Sequence, residues 1–192
     1  ADLDWYSEDF AQLSADGPDG GDGDYEMRRS ELVLKGKGPG NFEWVAGYDA
    51  KADKWLDVNA KYKIQGNANH FFQVGQYKQL NSLEELSSTK NNDFVAKASI
   101  TNTFGISRRL GAMYQYGDNN WAIAGSMFTR ELTEHPSPTP HGMGWGVRGY
   151  WAPINTAGSI FHIGASYNDY DTDSDTVQWR ARPLADLSNR II

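Results

Sequence analysis

From Trp55 to Gln65 the chain reads WLDVNAKYKIQ. Leu56, Val58, Ala60, Tyr62 and Ile64 take every second position, and Asp57, Asn59, Lys61, Lys63 and Gln65 stand between them. Side chains leave a β-strand alternately to its two faces, so this alternation predicts a strand with one apolar and one polar face. It recurs along the chain. Phe42, Trp44, Ala46 and Tyr48 oppose Glu43, Val45, Gly47 and Asp49. Leu110, Ala112, Tyr114 and Tyr116 oppose Arg109, Gly111, Met113 and Gln115. Trp145, Val147 and Trp151 oppose Gly146, Arg148 and Tyr150, and Phe161, Ile163, Ala165 and Tyr167 oppose His162, Gly164, Ser166 and Asn168. Val177, Trp179 and Ala181 against Gln178, Arg180 and Arg182 complete the set. No stretch holds helical spacing over three turns. The chain reads as all-β and antiparallel, with about ten strands.

The connections alternate as well. GPGN at 38–41, GNAN at 66–69, GDNN at 117–120 and INTAG at 154–158 are rich in residues that accept a positive φ and predict tight turns. The longer connections are an acidic segment over 7–24, a polar segment after Lys78 and a proline-rich one after Leu132. One end of the sheet is therefore expected to carry tight turns. The other carries mostly long loops, with 49–53 a short exception.

Composition narrows the function. The chain has 192 residues and no cysteine, which excludes disulfides, CxxC redox pairs and thiolate metal sites. A net charge of −7 argues against nucleic acid as a partner. His70, His135, His141 and His162 are too scattered to ligate a metal, no nucleophile–base arrangement is visible, and GPDGGDGD lacks the spacing of a calcium loop. No enzymatic activity, cofactor or metal is expected. The acidic external segment would at most hold divalent cations weakly beside lipopolysaccharide.

The apolar faces could look into a dry core, as in a soluble sandwich or carrier barrel, or outward to lipid, as in an outer-membrane barrel. Two features favour lipid. Aromatics crowd the strand ends, where interfacial girdles lie, and short turns oppose long loops across the sheet. The first strand opens in mid-pattern and the last has no partner after it. A bilayer does not tolerate an open edge, so the pattern predicts part of a larger barrel.

At VGQYKQLNSLEELSSTKNNDF, SRRLGAMYQYG and GWGVRGYWAPINTAGSIFHIG the sequence resembles the phosphate-selective porin O and P family of Gram-negative outer membranes. The likeness runs from about YEMRRSELVLKG to the end. It implies a transmembrane barrel of about sixteen strands, normally a homotrimer in lipid and lipopolysaccharide. The present chain would be the N-terminal portion of a single barrel domain, without its leader and without the C-terminal strands. The resemblance also implies that the segment 79–106 contains a loop folded into the lumen, and that lysines and arginines draw small inorganic anions along the wall.

The residues expected to line that path are Arg28, Arg29, Lys61, Lys63, Lys78, Ser87, Ser88, Lys90, Arg109, Arg148 and Arg180. Arg29 shares a face with Glu31 and Lys35 and should point inward. Alternation sends Arg28 toward the headgroups. Lys78 and Lys90 bracket the loop and would give charge-assisted contacts to an oxyanion, with Ser87 and Ser88 as neutral donors. Rings of cations set anion preference in pores, whereas the ordinary alternative is a solvated sheet face. Glu31, Glu43, Asp49 and Asp57 share the polar faces and would weaken that preference. Three readings stay open: an anion-preferring porin, a non-conducting structural or adhesion barrel, and a soluble carrier of an apolar ligand.

Overall fold

A computed structural model describes residues 2–6, 24–87, 97–134 and 142–171, the first five and 24–29 as backbone only. Among these residues there are ten strands. β1 (Asp2–Tyr6) and β2 (Asp24–Arg29) pair only with each other among the described residues. The rest form one eight-stranded sheet: β3 (Glu31–Lys37), β4 (Phe42–Asp49), β5 (Lys54–Lys63), β6 (Phe71–Lys78), β7 (Arg108–Asp118), β8 (Trp121–Phe128), β9 (Gly144–Thr156) and β10 (Ser159–Tyr170). Their order in space is their order in sequence, every pair is antiparallel, and β3 and β10 are the edges. The expected count of about ten strands in the barrel wall is corrected to eight, because β2 pairs with β1 and no ladder joins it to β3 among the described residues. The strand expected around Val177 lies outside the described residues.

The four connections 38–41, 64–70, 119–120 and 157–158 close one end of the sheet. The segments 79–107 and 129–143 leave the other, together with the short turn 50–53. At that short turn Asp49 accepts backbone N–H groups of Ser30, Lys51 and Ala52, which stiffens the exception.

One face of the sheet is oily and open to its surroundings. Trp151 is 57% exposed, Ile123 58% and Ile163 54%, and Trp44, Tyr62, Phe72, Val74, Tyr114, Tyr116, Trp121, Trp145 and Tyr167 lie on the same side, all exposed. Four strands carry an aromatic near each end of this face: Phe42 and Tyr48 on β4, Trp55 and Tyr62 on β5, Trp145 and Trp151 on β9, Phe161 and Tyr167 on β10. Each pair is separated by about 20 Å at the usual rise per residue. Tyr48 meets Trp55 edge-on at 5.2 Å, and Trp145 lies 5.5 Å from Tyr167. A water-soluble barrel would hide this face.

The other face is covered over the middle strands, β6 to β9. A cluster of Phe71, Tyr77, Leu80, Met113 and Ala124 is buried on it, with Gln73, Ser126 and Arg148 among the buried polar groups.

One alternation breaks. Val58 pairs with Ala46 and Trp55 with Tyr48, so Leu56 and Asp57 together stand opposite the single residue Gly47. This β-bulge reverses the parity of β5. Trp55 takes the oily face, while Leu56 is 5% exposed and packs toward Gly47 and Val33. The expectation that Leu56 shares the face of Val58, Ala60 and Tyr62 is corrected by this extra residue.

The bulge leaves backbone groups at Trp55 and Leu56 without ladder partners on β6, whose pairing with β5 stops at Val58–Gln76. Gln76 fills the gap. Its amide nitrogen donates to the carbonyls of Trp55 (2.8 Å) and Leu56 (2.7 Å), and its Oε1 accepts the N–H of Leu132. Leu132 opens a short 3-10 turn, Leu132–Glu134, whose Thr133 hydroxyl accepts the N–H of Trp55. Gln76 sits in register with oily-face residues yet is fully buried. Gly75 before it has φ +114°, a conformation that glycine alone adopts readily.

Candidate functional site

The site is built from the covered face and from the segment that follows β6. That segment contains two short helices, α1 (Leu83–Leu86) and α2 (Ser99–Phe104). Neither is long enough to show a helical period. Sequence reasoning passed over the start of α1, although SLEE at 82–85 fits the Ser-x-x-Glu pattern of a helix N-terminus. The Ser82 hydroxyl accepts the N–H of Glu85 at 3.1 Å.

The base of the segment is sewn shut. Gln79 N–H donates to Ser107 O at 3.0 Å, and Asn81 Nδ2 donates to Phe104 O at 3.0 Å. Lys78 Nζ donates to the carbonyls of Glu85 (2.7 Å) and Ser87 (3.0 Å) at the end of α1. The Ser87 hydroxyl donates to Glu84 O at 3.0 Å. Lys97 meets the buried Glu85 carboxylate at 2.6 Å. Two of the three ammonium protons of Lys78 are thus engaged by the segment itself.

From that base the chain crosses the covered face. Leu80 is 3% exposed and belongs to the buried cluster on β6, β7 and β8. Its carbonyl accepts Asn168 Nδ2 from β10 at 2.7 Å, and the next carbonyl, of Asn81, accepts Arg148 from β9 at 2.5 Å.

The register sorts the remaining groups into rungs. One runs Lys37, Glu43, Lys61, Gln73, Met113, Ser126, Gly146, Asn168 from β3 to β10. The neighbouring rung runs Lys63, Phe71, Gln115, Ala124, Arg148, Ser166. At the β3–β5 side four lysines, Lys35, Lys37, Lys61 and Lys63, share this face around Glu43. Lys63 Nζ lies 2.8 Å from the Glu43 carboxylate, and Lys61 Nζ lies 4.1 Å from the centre of the Phe71 ring. Gln73 donates to Asn59 Oδ1, and Asn59 donates to Gln76 O, both at 2.9 Å.

The expected site residues are therefore spread, not gathered. Lys61 and Lys63 are neighbours on β5. Arg109 is held by Glu131 at 3.1 Å, and Arg148 lies against the crossing segment. Lys78 and Ser87 belong to the base of that segment. Arg28 and Arg29 stand on β2, with Arg29 opposite Asp2, and only their backbone is described. Ser88, Lys90 and Arg180 lie outside the described residues. Residues that sequence reasoning passed over are Lys37, Arg108, Gln73 and Asn168. Arg108 pairs with Asp57 of the bulge at 3.0 Å. The signal for Lys37 was present, since it alternates in phase with Lys35 and Glu31. Half-exposed pairs such as Lys63–Glu43, Arg108–Asp57 and Arg109–Glu131 contribute about 0–1 kcal/mol each. Their larger effect is to cancel charge along the face.

Glu84 ties α1 to α2. Its carboxylate accepts the hydroxyl of Thr101 and, at 3.0 Å, the N–H of Ala98. The Thr101 hydrogen bond, helped by the Ala98 N–H, holds its pKa below the ordinary carboxylate value. A lowered folded-state pKa means that the tie is fully present above the unfolded pKa, about 4.3. It is lost as pH falls through the lower folded value. Amide exchange at Ala98 should accelerate, beyond its intrinsic pH dependence, as pH falls below the ordinary carboxylate value of about 4.3. In Glu84→Gln the extra acceleration should vanish; its persistence would assign the effect to another group.

An antiparallel meander with one oily, exposed face, and with a polar face crossed by a returning segment, is consistent with the wall of a β-barrel. The chain belongs to the family described as phosphate-selective porin O and P, whose model matches residues 3–190. An uncharacterized protein of Caulobacter vibrioides is 28% identical in an alignment 182 residues long that covers 85% of this chain and 35% of that relative. The chain thus spans about a third of the length of the curated relative it matches. Family membership points to a channel rather than an enzyme, and the family is typically one of the outer membrane.

Proposed function

We propose that the protein is part of an outer-membrane porin, a closed trimeric barrel of about sixteen strands, through which small anions such as phosphate or polyphosphate diffuse passively. The observation that carries this reading is the sidedness of the sheet: large apolar side chains are exposed on one face while lysines, amides and hydroxyls share the other, which the segment after β6 crosses at Leu80 and Asn81. Hydrocarbon solvates the first face and lumenal water the second. The lysines around Glu43 supply the attraction. Lys61 is the member whose charge meets an aromatic ring rather than a salt-bridging carboxylate among the described residues. Pairing of Lys63, Arg108 and Arg109 with acids favours a shallow anion preference and fast release over tight binding.

The test is a planar-bilayer recording of the full-length protein under a potassium chloride gradient. The expected reversal potential has the sign of chloride permeation. Lys61→Glu should shift it toward potassium by a clear margin. Cation preference in the unmodified protein would reject the selectivity, and absence of single-channel steps would leave a structural barrel instead.

A further inference from the structure

Arg148 differs from the other described arginines of the sheet. Arg108 and Arg109 each face a carboxylate. Arg148 has none among the described residues and is 9% exposed. Its short contact is to a backbone carbonyl, Asn81 O, 67 positions earlier in the chain. One strand further on, Asn168 holds the preceding carbonyl, Leu80 O, 88 positions earlier. Two consecutive carbonyls of one segment are thus gripped by two adjacent strands. Leu80 itself plugs into the buried cluster between them and β6.

The strand between these groups is shaped for the grip. Gly146 lies in register between Ser126 and Asn168. A Cβ added there would overlap Asn168 Oδ1 and stand 3.4 Å from Ser126 Oγ. Any larger residue at 146 would push Asn168 off the Leu80 carbonyl. Ser126 Oγ and Asn168 Oδ1 are both buried without a partner among the described residues, and the amide is kept in place by the fit over Gly146 and by its bond to Leu80.

We infer that Arg148 and Asn168 are positioning residues that pin the segment 79–87 across the polar face of β7–β10 and so set the width of the passage. The charge of Arg148 is directed at the peptide dipole of Asn81, not at the permeating ion. Removing the pin frees the start of the segment while the strands stay paired. This rests on the porin reading, and the experiment separates the two.

Arg148→Met, Asn168→Ala and Gly146→Ala are made in the full-length protein, with Arg148→Lys as the conservative variant. Hydrogen exchange over residues 79–87 is measured first, because it does not depend on conduction. Exchange at these amides should rise about tenfold or more in the first three variants, while the β7–β9 ladder remains protected, and Arg148→Lys should recover most of the protection. Single-channel traces should gain flicker and change in amplitude, with the reversal potential nearly unmoved. The inference is overturned if segment exchange is unchanged and Arg148→Met instead abolishes anion preference, which would make Arg148 a ligand of the ion. If the parent protein does not conduct, the exchange result still decides the pinning, and the porin reading alone fails. If Arg148→Met does not fold, Asn168→Ala and Gly146→Ala carry the same two readouts.

Discussion

Ile123→Arg should lower the stability of the protein in lipid bilayers by about 2–4 kcal/mol, whereas Gln115→Lys should change it by less than about 1 kcal/mol. Ile123 and Gln115 lie on adjacent strands but on opposite faces, since Tyr116 pairs with Ile123 and Gln115 with Ala124. Ile123 is 58% exposed on the oily side, between the aromatic belts marked on β9 by Trp145 and Trp151. In water a residue that open could become arginine at almost no cost. In hydrocarbon the guanidinium must be dragged from water or must drag water in, and the penalty is largest near the middle of the bilayer. The two substitutions therefore read out which solvent each face meets. Urea-dependent unfolding from liposomes, followed by the heat-modified shift on gels, measures both. Equal effects, or a harmless Ile123→Arg, would mean that the oily face is not the lipid face, and the channel reading would fall with it.

Gln76→Leu should cost about 3 kcal/mol or more, although leucine matches glutamine in size and is the more hydrophobic of the two. The glutamine amide supplies two donors to the Trp55 and Leu56 carbonyls and one acceptor to the Leu132 N–H. Leucine removes all three and leaves buried backbone groups without water to replace them, at about 1–3 kcal/mol apiece. The gain from burying a few more apolar atoms is about 1 kcal/mol, so the loss wins. The damage should be local. Amide exchange should accelerate at Leu132 and across the bulge, and the hydrogen-bonded centre of β7 and β8 should hold. Gln76→Glu offers a second view, since it keeps the acceptor and loses the donors. A Leu variant as stable as the parent would show that water already reaches this point.

The strands were legible from side-chain alternation alone. Phe42 to Tyr48, Leu110 to Tyr116, Trp145 to Trp151 and Phe161 to Tyr167 read correctly by eye because each strand reports its own two solvents, and no neighbour is needed to interpret it. The turns at 38–41 and 117–120 were legible for the same local reason. The reading failed at Leu56. One extra residue opposite Gly47 moves it from the oily face to the covered one. A bulge is a relation between two strands, so nothing within WLDVNAKYKIQ announces it. The candidate site was less legible still. Arg109, Arg148 and Lys63 looked alike as cations on polar faces, and Lys78 as a cation at the start of the loop. They differ only in what the fold brings to them: Glu131, the Asn81 carbonyl, Glu43 and the end of α1.

By itself the amino-acid order determined which side of each strand must avoid water and where the chain must turn, because both depend on residues next to one another. Only the tertiary structure decided which charges are cancelled and where the segment after β6 comes to rest. Those outcomes depend on the register between strands and on contacts between residues as far as 88 positions apart, as in the bond from the Asn168 amide to the Leu80 carbonyl. A one-residue slip in that register exchanges one face for the other.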